Sequence, residues 1–347
     1  MDPVAARRII RLGFGTALAL LISQVFNWQL SFIAPVLLSF LLAIPMPAPG
    51  LKGGIKFVLA LLIGIWVSTW VILPFQTYQP LVGVLLIIAA CFWSFYYSAS
   101  GGSPIMGAFL TLGLAVVTAV GSVSIDQILA INAALSFNAV IAIAFLWLAH
   151  ALFPDIPVEQ KAGARPPPEL PSRNEAIRSA WRSTVVVLPV IIFFLFYAGS
   201  ASYMVVMIKV ASMGQQAAAD KARETGKDLL MSTIIGGTGA VIMWNLLDIW
   251  PSLILYVLLT ALGGLIMGRK IFEGKGMHRG AGVWSYAFLT MLVLIAPSLM
   301  DQTNSTAAAV KFYDRLGMMF WATVYATAAV SVFDAFWHSK APQTVVE

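Results

Sequence analysis

The chain reads RRIIR at residues 7–11 and KGGIK at residues 52–56, and it repeats this layout with RSAWR at 178–182 and RETGK at 223–227. In each copy a basic pair at helical spacing precedes a long apolar run, a second basic pair, another apolar run and a proline. A match at a fixed period predicts one duplicated unit. A constant shift of 171 residues pairs Arg7 with Arg178, Arg11 with Arg182, Lys52 with Arg223, Lys56 with Lys227 and Pro80 with Pro251.

The composition indicates an integral membrane protein. Hydrophobic residues make up 60% and charged residues 10% of the chain, and the mean hydropathy is +0.87. Soluble domains carry about 25% charged residues. The net charge of +6 comes from basic residues in loops between apolar segments, so membrane topology explains it better than nucleic acid does.

Apolar segments of about 20 residues predict membrane-spanning helices. We therefore predict an all-α polytopic membrane protein of about 12 transmembrane helices in two parallel six-helix repeats. The first two helices of each repeat are predicted to be short, at residues 12–27 and 31–44 and at 183–198 and 201–213. Helix 3 is predicted to stop at Pro74, and residues 214–228 are predicted to form a polar, helical loop. In the alternative arrangement, each short pair forms one kinked or re-entrant element.

Prolines interleaved with charged residues divide the chain near its middle. Proline at this density does not propagate a helix. The predicted domains are a first six-helix repeat at 1–153, a Pro-rich cytoplasmic linker at 154–177 and a second six-helix repeat at 178–340.

The basic residues predict the orientation. Of 21 Lys and Arg, all but Lys209, Lys311 and Arg315 fall on the same side of the membrane as the N-terminus. The positive-inside rule makes that side cytoplasmic and places both termini there. Parallel repeats commonly form a transport site between the halves near the midplane.

Four of these basic residues recur at equivalent places in the repeat and are candidates for substrate binding: Arg11, Lys56, Arg182 and Lys227. A cationic vestibule would concentrate anionic substrates. The positive-inside rule alone accounts for the same pattern.

Lys209 is the one clear charge inside an apolar run and is the fifth substrate-binding candidate. A charge at membrane depth usually has a partner or a function. Alternatively, the side chain extends from a short helix to the cytoplasmic surface.

Three titratable residues are candidates for proton coupling. Asp248 and Asp314 each adjoin an apolar span, and His150 could relay protons. Alternatively, the two carboxylates lie at solvated helix ends and His150 makes an interfacial hydrogen bond, without a role in proton coupling. Asn132, Asn138 and Asn245 are polar residues within spans that suit hydrogen bonds between helices.

The sequence carries no zinc-ligand spacing, nucleophile elbow or paired-carboxylate signature, so we expect no enzyme activity, cofactor or metal. Residues 236–239 read GGTG, but they lie inside a predicted helix without the Gly-Lys-Ser/Thr of a phosphate loop.

The pattern resembles the fusaric acid resistance and aromatic acid exporter superfamily of bacterial inner-membrane proteins. The likeness rests on Ala6 to Arg11 and Ala180 to Arg182, on the Pro/Gly-rich turn from Pro45 to Gly54 that leads through Lys56 to Gly64, and on Thr225 to Lys227 with Ile235 to Gly237. Larger members carry a cytoplasmic domain between the halves. The short linker here resembles a compact subgroup of unassigned function.

This resemblance implies efflux of small aromatic or amphipathic carboxylic acids across the inner membrane. It also implies a periplasmic membrane-fusion adaptor and an outer-membrane channel as partners. The sequence-based hypothesis is therefore an organic-anion permease, driven by the proton gradient or the membrane potential, and it is compatible with a homo-oligomer. The alternative is a non-transporting scaffold or accessory subunit, and a lipid-modifying membrane enzyme is the weakest reading because no catalytic groups cluster.

Overall fold

The computed structural model describes most of the chain. The described residues are 2–119, 125–156, 171–196, 204–219, 225–273, 276–278, 280–300 and 305–338. Residues 157–170 of the predicted linker and both chain termini lie outside them.

Helices account for nearly all of the described residues. A two-residue antiparallel hairpin, β1 (Phe272–Glu273) with β2 (Gly276–Met277), follows the tenth helix and was not predicted. The helices are α1 (Pro3–Val25), α2 (Ile33–Leu42), α3 (Leu51–Tyr78), α4 (Pro80–Ala99), α5 (Pro104–Ala119), α6 (Ile125–Leu152), α7 (Arg173–Phe196), α8 (Met204–Ala219), α9 (Thr225–Ile249), α10 (Leu253–Ile271), α11 (Ala281–Met300) and α12 (Ser305–His338).

The all-α polytopic fold class is confirmed, and eight of the helices in the described ranges are long and apolar enough to cross a membrane. The prediction of two short helices in each half is correct for α2 and α8, which have 10 and 16 residues. It is wrong for α1 and α7, which have 23 and 24 residues. The helical character predicted for residues 214–228 is present at both ends of this segment, which belong to α8 and α9, and residues 220–224 lie outside the described residues.

Local capping signals explain why α1 and α7 begin earlier than predicted. The Asp2 carboxylate accepts a hydrogen bond from Val4 N at 2.8 Å, and Pro3 occupies the first turn, where its missing N–H costs nothing. At α7, Ser172 and Glu175 form a reciprocal capping box. Both basic pairs therefore lie on helices rather than in flanking loops, and α7 starts inside the predicted linker.

Pro74 does not end α3, contrary to the prediction. Residues Val67–Ile72 form a π-helical turn, and α-helical geometry resumes at Leu73. A π turn widens the backbone where the proline ring would otherwise meet the preceding turn, so the helix continues to Tyr78.

The half-length helix α2 is enclosed by protein. Nine of its residues are buried, and it spans about 15 Å of the roughly 30 Å hydrocarbon layer. The extended segment after it reaches the C-terminal end of α6, where Trp147 Nε1 donates a hydrogen bond to Pro49 O at 2.7 Å. This bond ties the segment between α2 and α3 to the end of α6.

Both halves contain the same helix-packing pattern. Within each half, the third helix packs on the fifth and the sixth helix packs on the first and second. α1 runs antiparallel to α10, since Ile9 lies by Gly268 and Gly13 lies by Gly264. The chain of neighbours α1, α10, α11, α9, α12 and α7 gives α1 and α7 the same direction. These contacts agree with two like-oriented repeats.

The first helix of each half also packs against the other half. α1 of the first half packs on α10 of the second, and α7 packs correspondingly on α4. At the second contact, the Trp181 and Phe92 rings lie 4.9 Å apart. The aromatic residues near the end of α4 therefore hold the halves together. This arrangement leaves α2, α5, α8 and α11 at the centre.

Candidate functional site

Lys209 lies on α8 in the interior of the molecule. Its side chain is 1% exposed, and Nζ donates a hydrogen bond to Ser232 Oγ on α9 at 3.3 Å. Among the described residues it forms no ion pair with a carboxylate. The side chain does not reach the surface, which excludes the alternative in which it extends to the cytoplasmic face. A buried cation with only a hydroxyl partner is costly unless an anion joins it.

A cavity lies where the two halves meet, beside the helix that carries Lys209. It is lined by α2 and α5 of the first half and by α8 and α11 of the second, and its volume of about 30 Å³ matches one water molecule. Ser212 and Gln215 of α8 are the polar residues in this lining, which is otherwise apolar. Lys209, three residues before Ser212, is not itself part of this lining, since its side chain bonds to Ser232 on α9.

A hydrogen-bond network extends from this cavity into the first half. Gln215 Nε2 donates to Thr111 Oγ1 on α5 at 2.8 Å, and Ser98 Oγ on α4 donates to Gln215 Oε1 at 3.2 Å. Thr111 in turn shares a 2.6 Å hydrogen bond with Ser94. The neighbouring Gln216 is 3% exposed, and its Oε1 has no hydrogen-bond partner among the described residues. α8 thus brings unused hydrogen-bonding capacity and a buried lysine into the interior.

Sequence analysis missed Ser212, Gln215 and Gln216, although a signal was present. The polar residues of the apolar segment recur at helical spacing, at positions 209, 212 and 215–216. The predicted end of this helix at residue 213 separated the glutamines from Lys209.

The structure places Arg11 and Arg182 in ion pairs near the helix ends, not in the central cavity. Arg11 Nη2 lies 2.8 Å from Asp155 Oδ1, and Arg182 Nη1 lies 3.4 Å from Asp334 Oδ2. Arg182 also donates to the Ala217 carbonyl at the end of α8. Each arginine is almost fully buried and joins the first helix of its half to the end of the sixth.

Lys56 and Lys227 are exposed near the starts of α3 and α9. Asp248 is exposed near the end of α9, and Asp314 is exposed near the start of α12. None of these four residues lines the cavity between the halves. The exposed positions of the two carboxylates agree with their alternative interpretation as solvated helix ends.

His150 makes the interfacial hydrogen bond expected as the alternative to a proton relay. Its Nδ1 lies 2.8 Å from Leu146 O of the same helix, and its Nε2 lies 3.5 Å from Met46 O. Its Nε2 lies 3.9 Å from Asp155 Oδ2. His150 therefore belongs to the Arg11 cluster at the end of α6. In the part of the chain described, no three His, Cys, Asp or Glu side chains gather as a metal site requires.

One family model matches the chain, and it bears the description "Protein of unknown function (DUF2955)". The match covers residues 8–149, which extend from α1 to α6. No curated protein and no solved structure matches the chain.

Proposed function

We propose that this multi-pass membrane protein is a permease for small organic anions, and that Lys209 is the cation that binds them. One observation carries the proposal: a buried ammonium group without a described carboxylate lies on the helix that lines the cavity between the halves. An anionic substrate would neutralise the ammonium group, and Ser212 and Gln215 would accept or donate hydrogen bonds to its polar groups. In this conformation the cavity holds about one water molecule, so substrate binding requires the central helices to separate.

The distribution of charge supports a direction of transport. Arg7, Arg11, Lys56, Arg178 and Lys227 all lie near one end of the bundle, and the positive-inside rule assigns that end to the cytoplasm. Both termini are then cytoplasmic. In this proposal the basic end attracts organic anions from the cytoplasm, and the proton gradient or membrane potential drives their export.

The resemblance to aromatic acid exporters supports the substrate class and the location. It favours small aromatic or amphipathic carboxylic acids and the bacterial inner membrane. It also favours a periplasmic adaptor and an outer-membrane channel as partners. The activity proposed is transport and not catalysis.

Transport by purified protein in liposomes tests the proposal. We expect liposomes with the wild-type protein to release preloaded 4-hydroxybenzoate faster than protein-free liposomes do. Lys209→Ala should lower that rate at least about ten-fold, because the apolar pathway then offers no charge to the anion. Lys52→Ala, which removes an exposed lysine at the basic end, should transport like the wild type. Equal rates for wild type and Lys209→Ala would contradict the proposal.

A scaffold or accessory subunit is the second candidate. It is favoured by the ion pairs of Arg11 and Arg182, which give these residues a structural role without a substrate. The same assay is repeated with a panel of aromatic and aliphatic acids. If the wild-type protein releases none of them faster than protein-free liposomes do, the result supports the scaffold and rejects the permease.

A further inference from the structure

A groove between α1 and α6 opens on the outside of the bundle. Phe14, Gly15 and Leu18 form one wall, and Phe145, Ala149, Leu152 and Phe153 form the other. Its volume is about 160 Å³, and its lining consists of apolar residues. Phe14 and Leu152 are 51% and 55% exposed, so the groove is open toward the surrounding lipid.

The groove has a fixed shape because a glycine forms part of its wall. A Cβ atom on Gly15 would lie 3.0 Å from Leu42 and 3.1 Å from Ala149, so α1 approaches α2 and α6 closely at this point. The Phe14 and Phe153 rings, 6.5 Å apart, border it. These contacts leave a preformed apolar slot between the two helices.

Arginines lie at one end of this groove. Arg7 and Arg11 precede Phe14, Gly15 and Leu18 on α1 at intervals that place them along one face. Arg7 Nη1 donates to Pro154 O at 2.9 Å, directly after the groove residue Phe153. Arg11 Nη2 binds Asp155, while its buried Nη1 has no partner among the described residues.

Each half carries two arginines and one paired aspartate at this position, but the arginines that the aspartate contacts differ. Arg178, the repeat counterpart of Arg7, lies 3.3 Å from Asp334. Arg7 is exposed and pairs with no described carboxylate. Asp155 pairs with Arg11, so Arg7 supplies the exposed positive charge at this end of the groove.

We propose that this groove binds an anionic glycerophospholipid, with an acyl chain between α1 and α6 and the phosphate at the exposed Arg7. The charge complements a phosphate, and the apolar slot beside it complements an acyl chain. Basic pockets between transmembrane helices bind anionic head groups in this way. The site involves neither Lys209 nor the central cavity, so it does not depend on the proposed transport activity.

Native mass spectrometry of the detergent-purified full chain tests the head-group contact. The protein is mixed with equal amounts of phosphatidylglycerol and phosphatidylcholine that carry the same acyl chains. We expect the wild type to retain more phosphatidylglycerol, and Arg7→Gln to lower the ratio of the two lipids about five-fold through the loss of one surface cation. Lys52→Gln removes a charge elsewhere at the same end and should leave the ratio unchanged.

A pair of tryptophan substitutions tests the groove itself. Leu152→Trp fills the groove and should lower the amount of phosphatidylglycerol retained. Leu148→Trp adds the same side chain to the same helix at a 40% exposed position outside the groove lining and should not. All variants are first checked for a single monodisperse species. Both tryptophans are at exposed positions, so this pair remains informative if Arg7→Gln fails to fold.

Three results would overturn the proposal. They are an unchanged lipid ratio in Arg7→Gln, the same lipid retention in the two tryptophan variants, and displacement of phosphatidylglycerol by an equal concentration of decanoate. The last result would make the groove a site for free amphipathic acids rather than for a phospholipid.

Discussion

Asn138 is a polar residue in the middle of α6 that satisfies all of its hydrogen-bonding capacity. Its Oδ1 accepts from Trp28 Nε1 and Ala34 N, and its Nδ2 donates to Gln29 O and Ala134 O, at distances of 2.7–3.2 Å. The partners at residues 28–34 form the break between α1 and α2. Asn138 therefore fixes the position at which the chain turns back into the bundle.

Asn138→Ala should destabilise the protein by about 2–3 kcal/mol, because it leaves the buried Ala34 N–H and the Trp28 indole N–H without acceptors. Asn245→Ala is the matched control. Asn245 is exposed and, among the described residues, bonds only to Val241 O in its own helix, so its loss should cost less than about 0.5 kcal/mol. Thermal unfolding in detergent measures both changes, and equal losses would show that Asn138 has no special role.

For single residues, the sequence predicts which polar side chains bond within the bundle better than it predicts the groups to which they bond. Asn132 and Asn138 are recognisable as polar residues in apolar helices, and both do bond to other elements. Their partners lie far away in the chain, so no local pattern reveals them. Asp155 illustrates the difficulty, since it pairs with Arg11 from a segment predicted to be solvated linker.

Close packing between the third and fifth helices of each half explains the glycines in the sequence motifs. A Cβ atom on Gly64 would lie 2.4 Å from Leu110 O of α5, and one on Gly236 would lie 2.4 Å from Ala287 O of α11. Such distances exclude any side chain unless the helices move apart. Residues 236–239 therefore serve helix packing, in keeping with the absence of a phosphate loop.

Gly236→Ala should destabilise the protein by about 1–3 kcal/mol, because the added methyl group forces α9 away from α11. Gly317→Ala, on α12, meets nothing within 4 Å and should be neutral or stabilising by up to about 1 kcal/mol through helix propensity. Denaturation midpoints of the two purified variants check this difference. Similar midpoints would mean that α9 and α11 tolerate separation.

Hydropathy predicts the helices well at their apolar centres and poorly at their ends. The starts of α1 and α7 depend on Asp2, Pro3, Ser172 and Glu175, which are capping signals outside the apolar runs. The π turn of α3 and the β1–β2 hairpin leave no comparable signal, because both depend on packing against other elements. Proline at residue 74 is a stop signal that the π turn overrides.

Among the described residues the two halves share one helix-packing pattern, which agrees with the repeat predicted from five matched landmarks. The sequence did not reveal that α1 and α7 each pack against a helix of the other half, since this depends on contacts between distant helices. Lys209 is not part of the repeated pattern, as the sequence already indicates. Lys209 has Leu38 as its counterpart under the same shift, and Leu38 is fully buried in α2.

Like-oriented repeats are the central claim, and cysteine accessibility tests it most directly. The background is Cys91→Ala, since the single native cysteine is buried. Two repeat-matched pairs of exposed residues are replaced one at a time by cysteine: Lys56 with Lys227 at the basic end, and Tyr78 with Ile249, 84% and 82% exposed, at the other. A membrane-impermeant maleimide is added to intact spheroplasts and to inside-out vesicles.

We predict that the cysteines at 56 and 227 react only in inside-out vesicles and that those at 78 and 249 react only in spheroplasts. Reaction of the cysteines at 56 and 227 from opposite sides of the membrane would contradict the like-oriented repeats.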